Sequence, residues 1–287
     1  VICTDKTGTL TQNRMRVQRL VTASSYLDGE CPGSLELASN TELRLVLECA
    51  LHCNNAELLP AGQALGDPTE VALLLAAEKA GLQVCTSSIR QQRTFEFPFE
   101  SERRMMSVVV QWNNHWMVFS KGAPEAVVSR CTWEFSRGNR VPLSPQRQAW
   151  WAAQLSSMLD AGMRVLAFAC KETDSPTPAQ HDAETGLVLL GLIGLSDPPR
   201  PEAFSALQAC KAAGITAIMV TGDHPSTAAS VASQLGMIPM GTPVVTGDQI
   251  DHMSDRELLT CLRSSRVFAR VSPVHKLRIV RALKKMN

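Results

Sequence analysis

Several short stretches of the chain hold residue types that could carry chemistry. At the start, the apolar run Val1 to Cys3 leads into Asp5-Lys6-Thr7-Gly8 with no room for a helix, which reads as a strand ending in a loop. In open α/β sheets ligands bind beyond the carboxyl ends of the strands, so a carboxylate there faces a site rather than a core. Asp5 is therefore a candidate nucleophile, and Lys6, the Thr7 hydroxyl and the Gly8 backbone can surround phosphoryl oxygens. An aspartate attacks poorly unless it meets an electrophilic phosphorus, and an acyl phosphate splits a hard hydrolysis into two easier steps. Thr221-Gly222-Asp223 sets a hydroxyl, a residue without a side chain and a carboxylate at a second strand end. Such a set can approach phosphate and a metal hydration shell closely. Taken alone, Asp223 or His224 could equally be the cap of a helix opening at Pro225. Further on, Lys121-Gly122-Ala123-Pro124-Glu125 joins a strand to a helix. There Gly122 lets a flat ligand come close and Lys121 supplies a point charge for phosphate.

The elements that must position these groups show two grammars. From Asp197 onward helices alternate with short strands: Pro201 to Ala213 closed by Gly214, strand Ile215 to Val220, helix Pro225 to Leu235 closed by Gly236, and a last strand Val267 to Ala269. A final helix has Ser272 as cap, Pro273 first, and Val274, Leu277, Val280 and Leu283 as its expected buried stripe. This is the pattern of a parallel sheet covered by helices. Between Arg14 and Ser196 the character differs, and residues 22–40, rich in Ser, Gly and Leu, mark the crossing. A helix is expected over Glu42 to Cys53, and another over Pro68 to Ala80, with Asp67 as cap, Glu70 in the first turn and Gly81 at the end. Met105 to Val110 and Trp116 to Ser120 read as a hairpin turning at Asn113-Asn114, followed by a helix over Ser144 to Ala161 and strands Arg164 to Cys170 and Leu187 to Leu195. The strand Val1 to Thr4 has no partner nearby in sequence, so both ends of the chain are expected to share one sheet, with the middle inserted.

As the run Asp5-Lys6-Thr7-Gly8-Thr9-Leu10-Thr11, the first stretch resembles the phosphorylation motif of the P-type ATPases, cation pumps that form an aspartyl phosphate. Thr221-Gly222-Asp223-His224 resembles the motif that packs beside the phosphorylated aspartate, and Phe268 to Lys276 the segment whose lysine, here Lys276, contacts it. Asp197-Pro198-Pro199-Arg200 resembles the junction whose Asp197 and Arg200 lie close to nucleotide, and Arg270 joins the same nucleotide-binding set. The resemblance also makes Lys121 and Gly122 a nucleotide motif, stacks adenine on Phe99, makes Glu70 its hydrogen-bond partner, and brings Arg164 to the phosphates. Without it, Phe99 would be read as core and the charges as solvated. Arg104 departs from the pattern, standing where several relatives have a lysine in the adenine pocket.

The resemblance implies a Rossmann-like phosphorylation domain of haloacid dehalogenase type at residues 1–13 and 197–287, with an inserted α+β nucleotide-binding domain on an antiparallel sheet at residues 14–196. It implies ATP and Mg2+, the metal held by Asp5 and the Thr7 carbonyl, and partner actuator and membrane domains in a longer pump on the cytoplasmic face of a membrane. A chain without an initiator Met that opens inside a strand fits a piece of such a protein. The G-D-G-x-N-D run that would add a metal-site aspartate does not occur, so turnover by the fragment alone is not expected. The adenine-pocket residues look closest to the calcium, sodium and proton pump branches, though the ion itself is read in membrane helices.

Composition bounds these readings. With 287 residues, 45% hydrophobic and 19% charged, the chain is long enough for two domains with separate cores. A net charge of +1 argues against nucleic acid as the main partner. The nine cysteines are scattered, and Cys49 and Cys53 have no matching second pair to complete a zinc site. No apolar run approaches the roughly 20 residues of a membrane helix. A soluble phosphatase of haloacid dehalogenase type is the rival enzyme, and a nucleotide-binding regulatory module the rival without catalysis. Such phosphatases carry a second Asp two residues after the nucleophile as general acid and base, where this chain has Thr7. A hydroxyl is a poor general base at neutral pH, so a phosphoenzyme here should persist.

Overall fold

Alternating apolar residues in the last third of the chain find both faces of one sheet in the computed structural model, which describes residues 1–29, 37, 39–59 and 63–285. The chain divides into two compact units. The first comprises Val1–Arg14, Leu159–Met163 and Asp197–Asn287, the second Met15–Met158 and Arg164–Ser196. Both parallel and antiparallel sheets are present, in an α/β protein. Residues 30–36 and 38 of the Ser-, Gly- and Leu-rich stretch, and residues 286 and 287 after the final helix, lie outside the described residues.

The first unit is built on a parallel sheet in the order β1 (Ile2–Asp5), β13 (Ala217–Val220), β15 (Val267–Ala269), β14 (Val245–Thr246). Cys3 lies opposite Ile218 and Asp5 opposite Val220, so the two sequence ends do share one sheet. Successive side chains of a strand point to opposite faces. Ile218, Val220 and Phe268 accordingly join Ile250, Leu258, Leu262 and Ile279 in one apolar layer. Met219, Val267 and Ala269 join Leu10, Ala228, Val231 and Leu235 in the other. Helices Pro201–Ala212, Pro225–Gln234, Gly247–His252, Asp255–Ser264 and Pro273–Lys284 supply these layers and the connections.

The expected stripe of the last helix needs correction. Ile279, Ala282 and Leu283 are its buried residues, while Val274 is 73% and Leu277 51% exposed. The reason lies in the first turn, where His275 and Lys276 are held by carboxylates of other segments. Residues successive in a helix are about 100° apart, so fixing 275 and 276 swings 274 and 277 outward. Strand β13 also begins later than expected, at Ala217, because the Ile215 N–H closes helix Pro201–Ala212 by donating to Cys210 O.

The second unit is organised by a sheet in the order β10 (Asn139–Pro142), β9 (Cys131–Ser136), β12 (Leu187–Ser196), β11 (Arg164–Thr173), β8 (His115–Gly122), β7 (Met105–Trp112), β6 (Arg93–Glu100). Its described pairings are antiparallel except that of β12 with β9. β12 changes partner along its length: Leu187–Leu189 pair with β9, and Leu192–Ser196 with β2 (Arg16–Val21), which in turn pairs with β3 (Tyr26–Asp28). The β7–β8 turn uses Asn113 and Asn114 at φ of 45° and 65°, the geometry asparagine tolerates in a two-residue hairpin. Helices Thr41–His52 and Pro68–Lys79 bury Val46, Leu47, Cys49, Ala50, Leu73 and Ala76 against Val108, Phe119, Phe168 and Ile193 of the sheet.

Candidate functional site

In the first unit the chain leaves β1 at Asp5 and turns sharply. Thr7 is extended, Gly8 takes φ of 74°, and the Thr11 N–H donates back to Lys6 O at 3.1 Å. That positive φ is the reason for glycine at position 8, since L side chains rarely adopt it. The turn is held from outside by the 197–200 segment. Thr11 Oγ1 donates to Asp197 Oδ2 at 2.5 Å, and the Arg14 N–H donates to Asp197 Oδ1 at 3.1 Å. Arg200 donates from Nη2 to Gly8 O at 2.9 Å and from Nε to Thr11 O at 3.1 Å. Asp197 and Arg200, expected beside nucleotide, thus have their polar atoms engaged in bracing the loop that carries Asp5.

Lys6 and Lys276 were expected at Asp5 and Arg270 among the nucleotide-binding residues, and the structure separates the three. Lys276 Nζ donates to Asp5 Oδ2 at 2.6 Å, with both side chains partly exposed. Lys6, expected among the phosphoryl ligands, is 4% exposed and its ammonium ion-pairs with Asp223. Its role here is to tie the first strand end to the third residue of Thr221-Gly222-Asp223. Arg270 is exposed at φ of 50°, and its N–H donates to Asp223 O at 2.9 Å.

The Thr221-Gly222-Asp223 turn follows β13. Thr221 is buried, donates its N–H to Phe268 O at 2.9 Å, and accepts from the Asp223 N–H at Oγ1. His224, not Asp223, caps the next helix by accepting from the Ser226 N–H at Nδ1. Capping therefore does not account for the Asp223 carboxylate, which is spent on Lys6. A Cβ at Gly222 would have Val271 O at 3.9 Å as its nearest atom, so the turn presents open space there.

The second unit gathers Glu70, Lys121, Gly122, Arg104, Arg164 and Phe99 around one end of the β7–β8 hairpin and the start of a helix. Asp67 caps helix Pro68–Lys79 through the Thr69 N–H at 2.8 Å, with Pro68 first and Glu70 in the first turn. Burial would raise the Asp67 carboxyl, but hydrogen bonds from Thr69 and Glu70 and the charge of Arg164 outweigh it and hold it below the usual carboxylate range. Lys121 Nζ donates to Glu70 Oε1 at 2.5 Å, and Glu70 Oε2 accepts from the Asn55 N–H at 3.1 Å. Asn55 continues the chain to Glu96 Oε1 at 2.9 Å. Phe99, on β6, is 61% exposed, so it is not the core residue its type would suggest. Arg104 sits at φ of 53° after the β6–β7 turn and donates to Glu125 at 2.6 Å. Gly122 corrects the sequence reading in part: a Cβ would lie 2.5 Å from Arg104 O and from Met105 Cβ. Its lack of a side chain is required by the close approach of β7, whatever else passes there.

The residues expected to bind nucleotide are therefore divided between units: Glu70, Phe99, Arg104, Lys121, Gly122 and Arg164 in the second, Asp197, Arg200 and Arg270 in the first. Sequence reasoning missed Thr11, Asn55, Glu96, Asp251 and His275. Thr11 stood inside the first motif and could have been marked as a loop-closing hydroxyl. Asn55, Glu96 and Asp251 carry no local pattern, because each acts on a residue distant in sequence, and His275 pairs locally with its cap Ser272 but also with the distant Asp251.

Asp5 and the Thr7 carbonyl offer hard oxygen donors of the kind Mg2+ accepts, and Mg2+ usually takes only one or two carboxylates besides phosphate and water. Among the described residues there is no group of three or more His, Cys, Asp or Glu side chains able to hold a metal. Among the described residues no helix is long and apolar enough to cross a membrane.

Comparison with known proteins supports one family. Residues 42–202 match the family described as P-type ATPase, cytoplasmic domain N. Calcium-transporting ATPase 1 of Lactococcus lactis is 39% identical over 285 residues, 98% of this chain and 32% of the relative. Calcium-transporting ATPase 1 of Bacillus cereus is 37% identical over 99% of the chain and 31% of the relative. The Saccharomyces cerevisiae protein of the same name is 36% identical over 99% of the chain and 32% of the relative. The chain thus spans about a third of the length of these curated relatives.

Proposed function

We propose, from the premise that this chain belongs to the P-type ATPase family, that it is the ATP-binding and self-phosphorylating portion of a cation pump, with Asp5 as phosphoryl acceptor. The first unit corresponds to the phosphorylation domain and the second to the nucleotide-binding domain. The observation that carries the reading is the Lys276 ammonium 2.6 Å from Asp5 Oδ2, in a loop clamped by Asp197 and Arg200. The relatives' names favour calcium as the cation.

In this reading adenine stacks on the exposed face of Phe99, and Glu70, held by Lys121 and the Asn55 N–H, orients it. A carboxylate oxygen of Asp5 attacks the γ-phosphorus in line. The bond from that phosphorus to the β–γ bridging oxygen breaks, and ADP leaves with the electron pair. Phosphoryl transfer asks the protein mainly for positioning and charge stabilisation. Lys276 supplies the charge, Gly8 the turn geometry, and the Lys6–Asp223 pair the fixed distance between the two strand ends. Mg2+, held by Asp5 and the Thr7 carbonyl, would supply neutralisation of the phosphate charge.

The phosphatase alternative shares Asp5 and the sheet but needs a base where Thr7 stands, and the regulatory-module alternative leaves the Lys276–Asp5 arrangement without a use. Brief exposure of the full-length protein to γ-labelled ATP followed by acid quench separates the three. Accumulated acid-stable, hydroxylamine-sensitive label is expected. Phosphate release without accumulation would favour the phosphatase, and bound nucleotide with no label the module.

A further inference from the structure

Beside Lys276 stands a side chain that the chemistry so far does not use. His275 is the third residue of helix Pro273–Lys284 and is joined reciprocally to its N-cap. Ser272 Oγ accepts from the His275 N–H at 3.3 Å, and His275 Nδ1 accepts from the Ser272 N–H at 3.2 Å. A backbone N–H can only donate, so Nδ1 holds no proton and the ring's hydrogen lies on Nε2. That Nε2–H donates to Asp251 Oδ1 at 2.7 Å, from helix Gly247–His252. The ring is also wedged sterically: a Cβ at Gly247 would fall 2.7 Å from its Nδ1 and 2.9 Å from its Cε1. Backbone, carboxylate and glycine thus fix the imidazole from three sides, and the next residue is the lysine that reaches Asp5.

We propose that His275, oriented by Asp251, is a positioning residue for phosphoryl transfer: it locks the first turn of its helix and so aims Lys276 at Asp5. This rests on the reading of Asp5 as phosphoryl acceptor. The ordinary occupants of this capping position are Glu and Gln, whose side-chain oxygen accepts from the cap N–H as Nδ1 does here. An Ala keeps the helix but loses the lock. The alternative is that His275 serves stability alone, in which case any variant that folds should phosphorylate normally.

The test compares full-length parent, Asp5→Asn, His275→Ala and His275→Gln by label formation from saturating γ-labelled ATP and by ATP affinity. His275→Ala should lower the maximal rate about 10- to 100-fold with ATP affinity unchanged, short of the roughly 10²–10³-fold lost when such a donor is deleted outright. His275→Gln should recover to within about fivefold of the parent, because it restores the capping bond. A parental rate in His275→Ala, or Gln as poor as Ala, overturns the proposal. If the parent carries no label that Asp5→Asn removes, the phosphoryl-acceptor reading has failed instead. The positioning claim is then decided by the slowing of Lys276 amine acylation that its contact with Asp5 imparts, measured in the same proteins against Asp5→Asn. Loss of that slowing in Ala and its retention in Gln upholds the lock, and its persistence in Ala refutes it.

Discussion

Asp5 and Thr7 stand two residues apart, and the chemistry attributed to this site turns on one being a carboxylate and the other not. A positioned carboxylate base typically contributes about 10²–10⁴-fold, so Thr7→Asp should hasten decay of a phosphoenzyme if its carboxylate reaches the attacking water. A second negative charge beside Asp5 also repels phosphate and opposes formation. Measuring label formation and decay separately resolves the two effects, and normal formation with unchanged decay would mean that lifetime is controlled elsewhere. Phe99 is the other residue whose exposure asks for an explanation. If its 61% exposed ring stacks on adenine, Phe99→Ala should weaken ATP binding by about 1–3 kcal/mol in calorimetric titration. Equal affinity in both proteins would refute the stacking. At this scale the sequence was legible where a residue acts on its neighbours in the chain. Asp67 caps and Asn113-Asn114 closes a hairpin, as local patterns predict. It was not legible where the partner is distant. Nothing in Lys6 says that its ammonium is buried against Asp223, or in Arg200 that it is occupied by Gly8 and Thr11 carbonyls.

Helix Thr41–His52 carries the clearest pH signature of any element. His52 is buried between Trp112 and Phe119, with ring centroids 5.4 and 5.6 Å away. Burial, assisted by the charge of Arg93, pushes its pKa down to about 4. The unfolded chain, with an ordinary histidine near 6.5, binds more protons between those two values. Stability from this residue is therefore fully present above about pH 6.5 and is lost as pH falls toward 4, by about 3 kcal/mol at roughly 1.4 kcal/mol per pH unit. Glu48 Oε2, 3.9 Å from His52 Nε2, would recover part of that for the protonated ring. Urea unfolding of the chain across this range should show the fall, and His52→Leu should remove it; an identical fall in the variant would assign it to carboxylates such as Glu42 and Asp67, whose pKa values are lowered. Elements were read well from periodicity and caps, with strand Val267–Ala269 found to the residue. The last helix was misread because two apolar stripes compete on it, and contacts of His275 and Lys276 with distant carboxylates decide between them. The split partners of β12 are also set by long-range pairing that no local window contains.

The two-unit organisation was legible because the change from alternating helices and strands to hairpins falls close to the boundaries at Arg14 and Asp197. The return of residues 159–163 to the first unit was not, since Leu159 continues a helix that begins in the second. At the scale of the whole molecule, the chain spans about a third of the length of its curated relatives. The central proposal is the chemistry of Asp5, and its most direct test is covalent. Full-length protein and its Asp5→Asn variant should be exposed briefly to γ-labelled ATP, quenched in acid, and digested to locate the label, with ATP affinity measured in parallel. The amide keeps the shape but cannot act as the carboxylate nucleophile, so label should sit on Asp5 in the parent and vanish in the variant while ATP affinity stays close to parental. Hydroxylamine-sensitive label persisting in Asp5→Asn, or found on another residue of the parent, would contradict the account.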